Sequence, residues 1–169
     1  MSAPTRLLLF DRDPALHALA SAALRRERVV VTWARDDAEA RDAVRRHAYS
    51  VILIDAEQGA GFLREFRAHH RALLRRTIVV ARRGAPENVF AVVPKPVDAM
   101  RLLATVRNCA ARTATEAQLA RALRELERVR HLLTELDLDD RVRADLHGLL
   151  GELDAQRQTL LAALGGAAF

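Results

Sequence analysis

The sequence predicts an α/β fold: a parallel sheet covered by helices on both faces, with an α-helical hairpin appended. Three observations carry this. Between residues 6 and about 112, apolar runs of strand length alternate with stretches of helical spacing. The runs are apolar at consecutive positions, as strands buried on both faces require. Beyond about residue 113 the strand-like runs stop and heptad stripes replace them.

The elements follow in order. RLLLF, 6–10, is the first strand. Pro14 opens the helical stretch PALHALASAALRRE, since a helix tolerates proline in its first turn. RVVVTWA, 28–34, is β-branched and reads as the second strand. Asp36 and Asp37 occupy the N-cap and first turn of a helix over AEARDAVRRH. SVILID, 50–55, is the third strand, and Gly59 and Gly61 mark the loop before the helical stretch GFLREFRAHHRALL. TIVVA, 77–81, and VFAVV, 89–93, are the last two strands. The segment between them, RRGAPEN, is too short for a regular crossover helix, so a fourth helix is expected to be short or missing. After Pro96, DAMRLLATVRNCAAR is a helix with Asp98 near its start.

The second module is expected to begin at Thr113, which forms a capping-box pattern with Glu116. This divides the chain into 1–112 and 113–169. One apolar stripe runs Leu119, Ala122, Leu126, Val129, Leu133, Leu136. DLDD, 137–140, reads as a turn, and a second stripe runs Val142, Leu146, Leu149, Leu153, Gln156, Leu160, Leu164 before Gly165 and Gly166. Leu123, Leu132, Leu150 and Leu161 lie off these seams and call for a partner surface. A second hairpin completing a four-helix bundle satisfies them, so a homodimer through helices 116–164 is expected.

Composition narrows the function. Half of the residues are apolar, enough for a core, and only seven are aromatic. Cys109 is the single cysteine, which excludes an internal disulfide. No run approaches the roughly 18 apolar residues of a membrane span. MSAPTRLLLF lacks the longer apolar stretch of a signal peptide, and a soluble, cytoplasmic protein is expected. The net charge of +5 divides into +8 for residues 1–112 (20 basic, 12 acidic) and −3 for the rest (7 basic, 10 acidic). The basic residues are scattered over several elements with few aromatics between them. The hairpin is acidic and offers no basic recognition helix, which argues against DNA as a partner.

Ligands of open α/β sheets bind outside the carboxyl ends of the strands. The polar residues there are Asp11, Arg12 and Asp13 after the first strand, Asp55 at the end of the third, and Lys95-Pro96 after the fifth. Lys95 is the only lysine among 27 Lys and Arg residues. Lysine is a compact point charge where arginine is a planar fork, so this position is a candidate for a specific electrostatic task. If the strands are suitably ordered, Asp11, Asp55 and Lys95 converge. Paired carboxylates suit Mg²⁺, and a lysine can pair with a phosphoryl group placed on a carboxylate. Ordinary helix capping is the simpler role for Asp11 and Asp13.

LLLFDRDP, VILID and VVPKPVDAMRLLATVR, in this order and spacing, resemble the first strand with its acidic turn, the phosphoacceptor strand, and the last strand and helix of response-regulator receiver domains. The resemblance covers about residues 5–112. It implies a flavodoxin-like, five-stranded parallel sheet of order 2-1-3-4-5. It implies Asp55 as phosphoacceptor, Asp11 in the acidic pocket, Lys95 facing the phosphate and a cis peptide before Pro96. The departures are as informative. Arg12 stands where the family has a second acid, and Ala81 stands where it has a switching Ser or Thr. The expectation is a degenerate receiver in which Arg12 pairs with Asp55 or Asp11 in place of the metal. Such a protein acts without phosphorylation, as a non-enzymatic signalling or scaffold protein working through protein–protein contacts. It needs no cofactor, with Mg²⁺ entering only if Asp11 and Asp55 form a working metal site. The alternative is a phosphorylatable response regulator. Two further readings have less support. DRD also resembles the D-x-D of haloacid-dehalogenase phosphatases, with Asp11 as nucleophile and Asp13 as acid/base. HGLLG at His147 faintly resembles a histidine phosphotransfer motif.

Overall fold

The structure is a computed structural model and describes residues 4–82, 84, 87–135 and 140–165. It divides into two units, Met1–Gln118 and Leu119–Phe169.

The first unit is built on five parallel strands: β1 (Thr5–Phe10), β2 (Val29–Ala34), β3 (Val51–Asp55), β4 (Thr77–Ala81) and β5 (Ala91–Pro94). Their order is β2-β1-β3-β4-β5, as the resemblance implied. β3 and β4 are buried at every residue, which explains their unbroken apolar runs. The edge strands β2 and β5 are only partly buried.

Alternate side chains feed two cores. On one face Leu7, Leu9, Leu53 and Val80 pack with Leu16, Ala20 and Leu24 of α1 (Pro14–Leu24) and with Leu102, Val106 and Cys109 of α5 (Ala99–Glu135). On the other, Leu8, Phe10, Ile54 and Val79 pack with Ala40 of α2 (Asp37–Arg46) and with Phe62, Leu63 and Phe66 of α3 (Ala60–His69). Each fully buried side chain of this size contributes about 1.5–3 kcal/mol. Cys109 lies inside the first core, and burial pushes its thiol pKa up to about 12, so it is no nucleophile.

Two boundaries differ from expectation. The stretch 61–74 is not one helix. His70 (φ −136°, ψ 49°) leaves the helical region, and a single turn, α4 (Arg71–Leu74), follows. The break lets Leu74 join Phe62 and Phe66 in the core. The second difference is at Thr113, which caps nothing, because α5 runs unbroken from Ala99 to Glu135. The Thr113 hydroxyl donates to Cys109 O one turn back and to Ser50 O, both at 2.9 Å. Glu116 accepts from Arg112 Nε at 3.1 Å instead of closing a capping box.

Between β4 and β5 the described residues hold no helix. Gly84 (φ 73°) and Asn88 (φ 65°) turn the chain through left-handed conformations that glycine and asparagine tolerate best.

The second unit holds the end of α5 and α6 (Asp140–Gly165), joined by an exposed ion pair from Arg130 Nη1 to Asp154 Oδ2 at 3.5 Å. The covered apolar positions among the described residues include Leu119, Leu123, Leu126, Leu146 and Leu150, all partly buried. Ala122, Val129, Leu132, Val142, Leu149 and Leu153 are exposed. The expected stripes are thus split, and Leu123 and Leu150, read as off the seam, are among the covered residues. Both rows are apolar, so spacing alone did not choose between them. The expected turn at 137–139, Leu136, and the side chains of Leu133, Leu160, Leu161 and Leu164 lie outside the described residues. No described helix is long and apolar enough to cross a membrane.

Candidate functional site

Strand register assembles the site. Phe10 pairs with Ile54, Asp55 with Val80, and Ala81 with Pro94. The next residues along β1 and β5, Asp11 and Lys95, therefore emerge at the same sheet edge as Asp55.

Asp55 is fully buried. Its Oδ1 accepts from the backbone amides of Glu57 (3.0 Å) and Gln58 (3.1 Å). Its Oδ2 meets Lys95 Nζ as an ion pair rather than as an aligned hydrogen bond. Lys95 also lies 4.0 Å from Glu57 Oε2 and is three-quarters buried. The Lys95-Pro96 peptide is cis, as the resemblance implied. Lys95 N donates to Ala81 O at 3.0 Å, which ties the lysine's backbone to the end of β4.

Asp11 is 2% exposed. Its Oδ1 accepts from Asp13 N at 2.9 Å. Burial raises its pKa above the ordinary carboxylate value. The Asp13 amide opposes this shift, the charge on Asp55 adds to it, and Lys95 opposes it in turn. Its carbonyl accepts from Trp33 Nε1 at 2.8 Å, and the Trp33 ring stacks on His17 with centroids 4.5 Å apart. Asp13 is a helix cap, its Oδ1 accepting from Ala15 N at 2.8 Å.

Arg12 departs from expectation. It is exposed and pairs with neither Asp55 nor Asp11 among the described residues. Its backbone amide donates to Gln58 Oε1 at 2.6 Å, and its side chain turns to solvent. The reason is geometric. Asp11 and Asp55 lie inward at the sheet edge, and the cation already on Asp55 is Lys95.

An open cleft of about 580 Å³ lies over these groups, lined by Asp11, Asp13, Gln58, Arg82, Lys95 and the apolar Leu16 and Leu19. Three of the four oxygens of Asp11 and Asp55 are already engaged by amides or the ammonium. No group of three or more His, Cys, Asp or Glu able to hold a metal occurs among the described residues. Lys95 occupies Asp55 Oδ2 here, and a Mg²⁺ held by Asp11 and Asp55, with waters completing its shell, would share that oxygen with the ammonium. Gln58 and Gly59 were not singled out as site residues, yet both shape it. A Cβ on Gly59 would lie 2.2 Å from Ile54 Cγ2 and 2.9 Å from Asp55 O, so the loop can close over Asp55 only with glycine there.

The sequence matches no protein-family model and no curated protein. Solved structures do match. The receiver domain of a Francisella response regulator is 21% identical, with a TM-score of 0.56 over 64% of this chain and 98% of its own. A CheY-like response regulator receiver domain protein from Methanospirillum hungatei is 20% identical, with a TM-score of 0.57 over 67% and 98%. The signal receiver domain of an HD domain-containing protein from Pseudomonas fluorescens is 14% identical, with a TM-score of 0.57 over 66% and 98%. The first unit has the receiver-domain fold. Within that fold, Asp55 ends the third strand of the receiver sheet and Lys95 follows the fifth.

Proposed function

We propose that the chain is a signalling or scaffold protein whose receiver-fold unit works without phosphorylation and whose C-terminal helices pair it into a homodimer that binds other proteins. The observation that carries this reading is the Lys95–Asp55 ion pair at a strand edge where β4 ends in Ala81. A phosphoryl switch of the receiver type needs a hydroxyl at the end of β4 to follow the new phosphate, and the Ala81 methyl cannot do so. The second acid is replaced by Arg12, which takes one carboxylate out of the acidic pocket and adds a positive charge beside it. The same features argue against phosphatase chemistry, since Asp13 is committed to capping α1.

A second reading is favoured by the cleft over Asp11 and Lys95: phosphorylation on Asp55, with Lys95 moving from carboxylate to phosphate. Intact mass after treatment with acetyl phosphate and Mg²⁺ separates the two. The expected result is no added phosphoryl group on the folded protein. A phosphoryl adduct that disappears in Asp55→Asn establishes the second reading instead.

A further inference from the structure

A second cleft, of about 570 Å³, lies between α2 and the α3–α4 segment. Its lining includes Ala48 and Tyr49, just before β3, and Arg76, just before β4, so it sits at the amino ends of the strands. The acidic site lies at the opposite edge of the sheet. The volume is within the range of small-molecule sites, about 300–1,000 Å³.

The charge of this cleft is one-sided. Arg41, Arg45, Arg71 and Arg76 line it, and the one acid among its lining residues is Glu65. Glu65 is neutralised locally, since it accepts from Arg41 Nε at 2.7 Å. Arg71 also borders an adjoining cleft lined by Arg67, Arg75 and one acid, Glu87, so the basic residues outnumber the acid there as well. Partly buried Val44 and Leu73 add an apolar wall.

A second feature points to a ligand independently of charge. Tyr49 lines the cleft and is 3% exposed, and its hydroxyl is buried with no hydrogen-bond partner. Buried hydroxyls are nearly always paired, and each exception calls for a cause. The backbone around it is well held, since Arg76 Nη1 donates to Tyr49 O at 3.1 Å. The ring is fixed in the core with Ile52 and Phe66, so the hydroxyl is held in place without a partner.

We propose that this cleft binds a phosphate-bearing small molecule of nucleotide size. Its phosphates pair with Arg45 and Arg71, its body rests on Val44 and Leu73, and one oxygen reaches the Tyr49 hydroxyl. Arginine's fork suits phosphate, and a hydroxyl that gains a charged acceptor forms one of the stronger hydrogen bonds.

The test is calorimetric titration of the full chain with ADP, and separately with inorganic pyrophosphate, at about 150 mM salt, where diffuse surface attraction is largely screened. Saturable one-to-one binding of ADP is expected, with pyrophosphate weaker because it lacks the body. Arg71→Glu is expected to weaken ADP binding about tenfold or more. Tyr49→Phe is expected to weaken it about fivefold while leaving the unliganded protein as stable or more so, since an unpaired buried hydroxyl is removed. Asp55→Asn is expected to bind like wild type. The proposal is overturned if neither probe gives saturable binding into the millimolar range, or if binding disappears on reaching that salt concentration. It is equally overturned if Arg71→Glu binds as wild type. Should Tyr49→Phe fold poorly, the Arg71 variant and amide shifts at Tyr49 and Arg76 on titrating wild type still decide.

Discussion

Lys95 places its ammonium on the buried Oδ2 of Asp55. Asp55 is 0% exposed, so its charge is tolerated only with this partner and the two amides on Oδ1. Removing the lysine strands the carboxylate. Lys95→Met is therefore expected to lower unfolding free energy by about 3 kcal/mol, the low end for breaking a buried pair, because Lys95 keeps some solvent. Urea unfolding of Lys95→Met and of the double variant with Asp55→Asn checks this. The double variant should recover much of the loss, since the stranded charge is gone. Equal losses in both would show that Lys95 acts through packing and not through Asp55.

Asp11 gives the protein a particular pH dependence. Its pKa is raised by burial in the folded state, from an ordinary value of 3.8. The folded protein therefore binds this proton more tightly than the unfolded chain does. Stability from this group is present at low pH and is lost as pH rises through the raised folded value. Asp11→Asn keeps an oxygen to accept from Asp13 N and removes the charge. Its stability relative to wild type is expected to increase as pH rises above about 4 and to level off once pH passes the raised folded value, read as the difference in urea midpoints. A difference independent of pH would mean that Asp11 is not the titrating group.

The sheet and the meeting of three site residues were legible because both rest on short-range signals. Apolar runs mark the strands, and RLLLF, VILID and TIVVA became the three innermost, while the equally apolar VFAVV lies at the edge as β5. Once that order holds, register alone carries Asp11 and Lys95 to Asp55. The fate of Arg12 was not legible. Sequence places the residue beside two acids but does not say which way a long side chain leaves the loop, and the Gln58 contact to its backbone is 46 positions away. Thr113 misled for a similar reason. T-x-x-E is a local pattern, whereas the Ser50 carbonyl that takes the hydroxyl is 63 positions distant. The hairpin seam was legible only in part: Leu119, Leu126 and Leu146 are covered within the chain as expected, while Leu123 and Leu150 of a competing apolar row are covered where Ala122 and Leu149 are exposed.

Gly59 is where the loop over Asp55 has no room to spare. Its N–H donates to Asp55 O at 2.8 Å, and a Cβ would press on Ile54 and on that same carbonyl. Gly59→Ala is expected to cost about 1–3 kcal/mol as overpacking forces the loop outward. The Trp33 emission maximum should barely move, since Trp33 packs against the core on one face of the sheet and the Ile54 that the new Cβ would press on belongs to the other. Thermal unfolding followed by tryptophan fluorescence reads both. Gly61→Ala is the control: its Cβ would meet only Asp37 Oδ2 at 3.1 Å, the end of a side chain that can shift, so a much smaller loss is expected.

The exposed apolar row on the C-terminal helices makes the proposed dimer testable. Val129, Leu132, Val142, Leu149 and Leu153 are each 40–57% exposed in the single chain. Such a run on two neighbouring helices is more than the scattered apolar residues of an ordinary surface. A second copy would cover it as the other half of a four-helix bundle. The Arg130–Asp154 pair joins the two helices but, being exposed, contributes about 0–1 kcal/mol, so apolar contact has to supply the association. Light scattering of the purified protein is expected to give twice the chain mass of 18.8 kDa. Leu149→Glu with Leu153→Glu would place charges in the buried seam and is expected to yield a monomer with the receiver-fold unit still folded. A wild-type monomer at high micromolar concentration would remove the dimer from the proposed function and leave this row as a surface for a different protein.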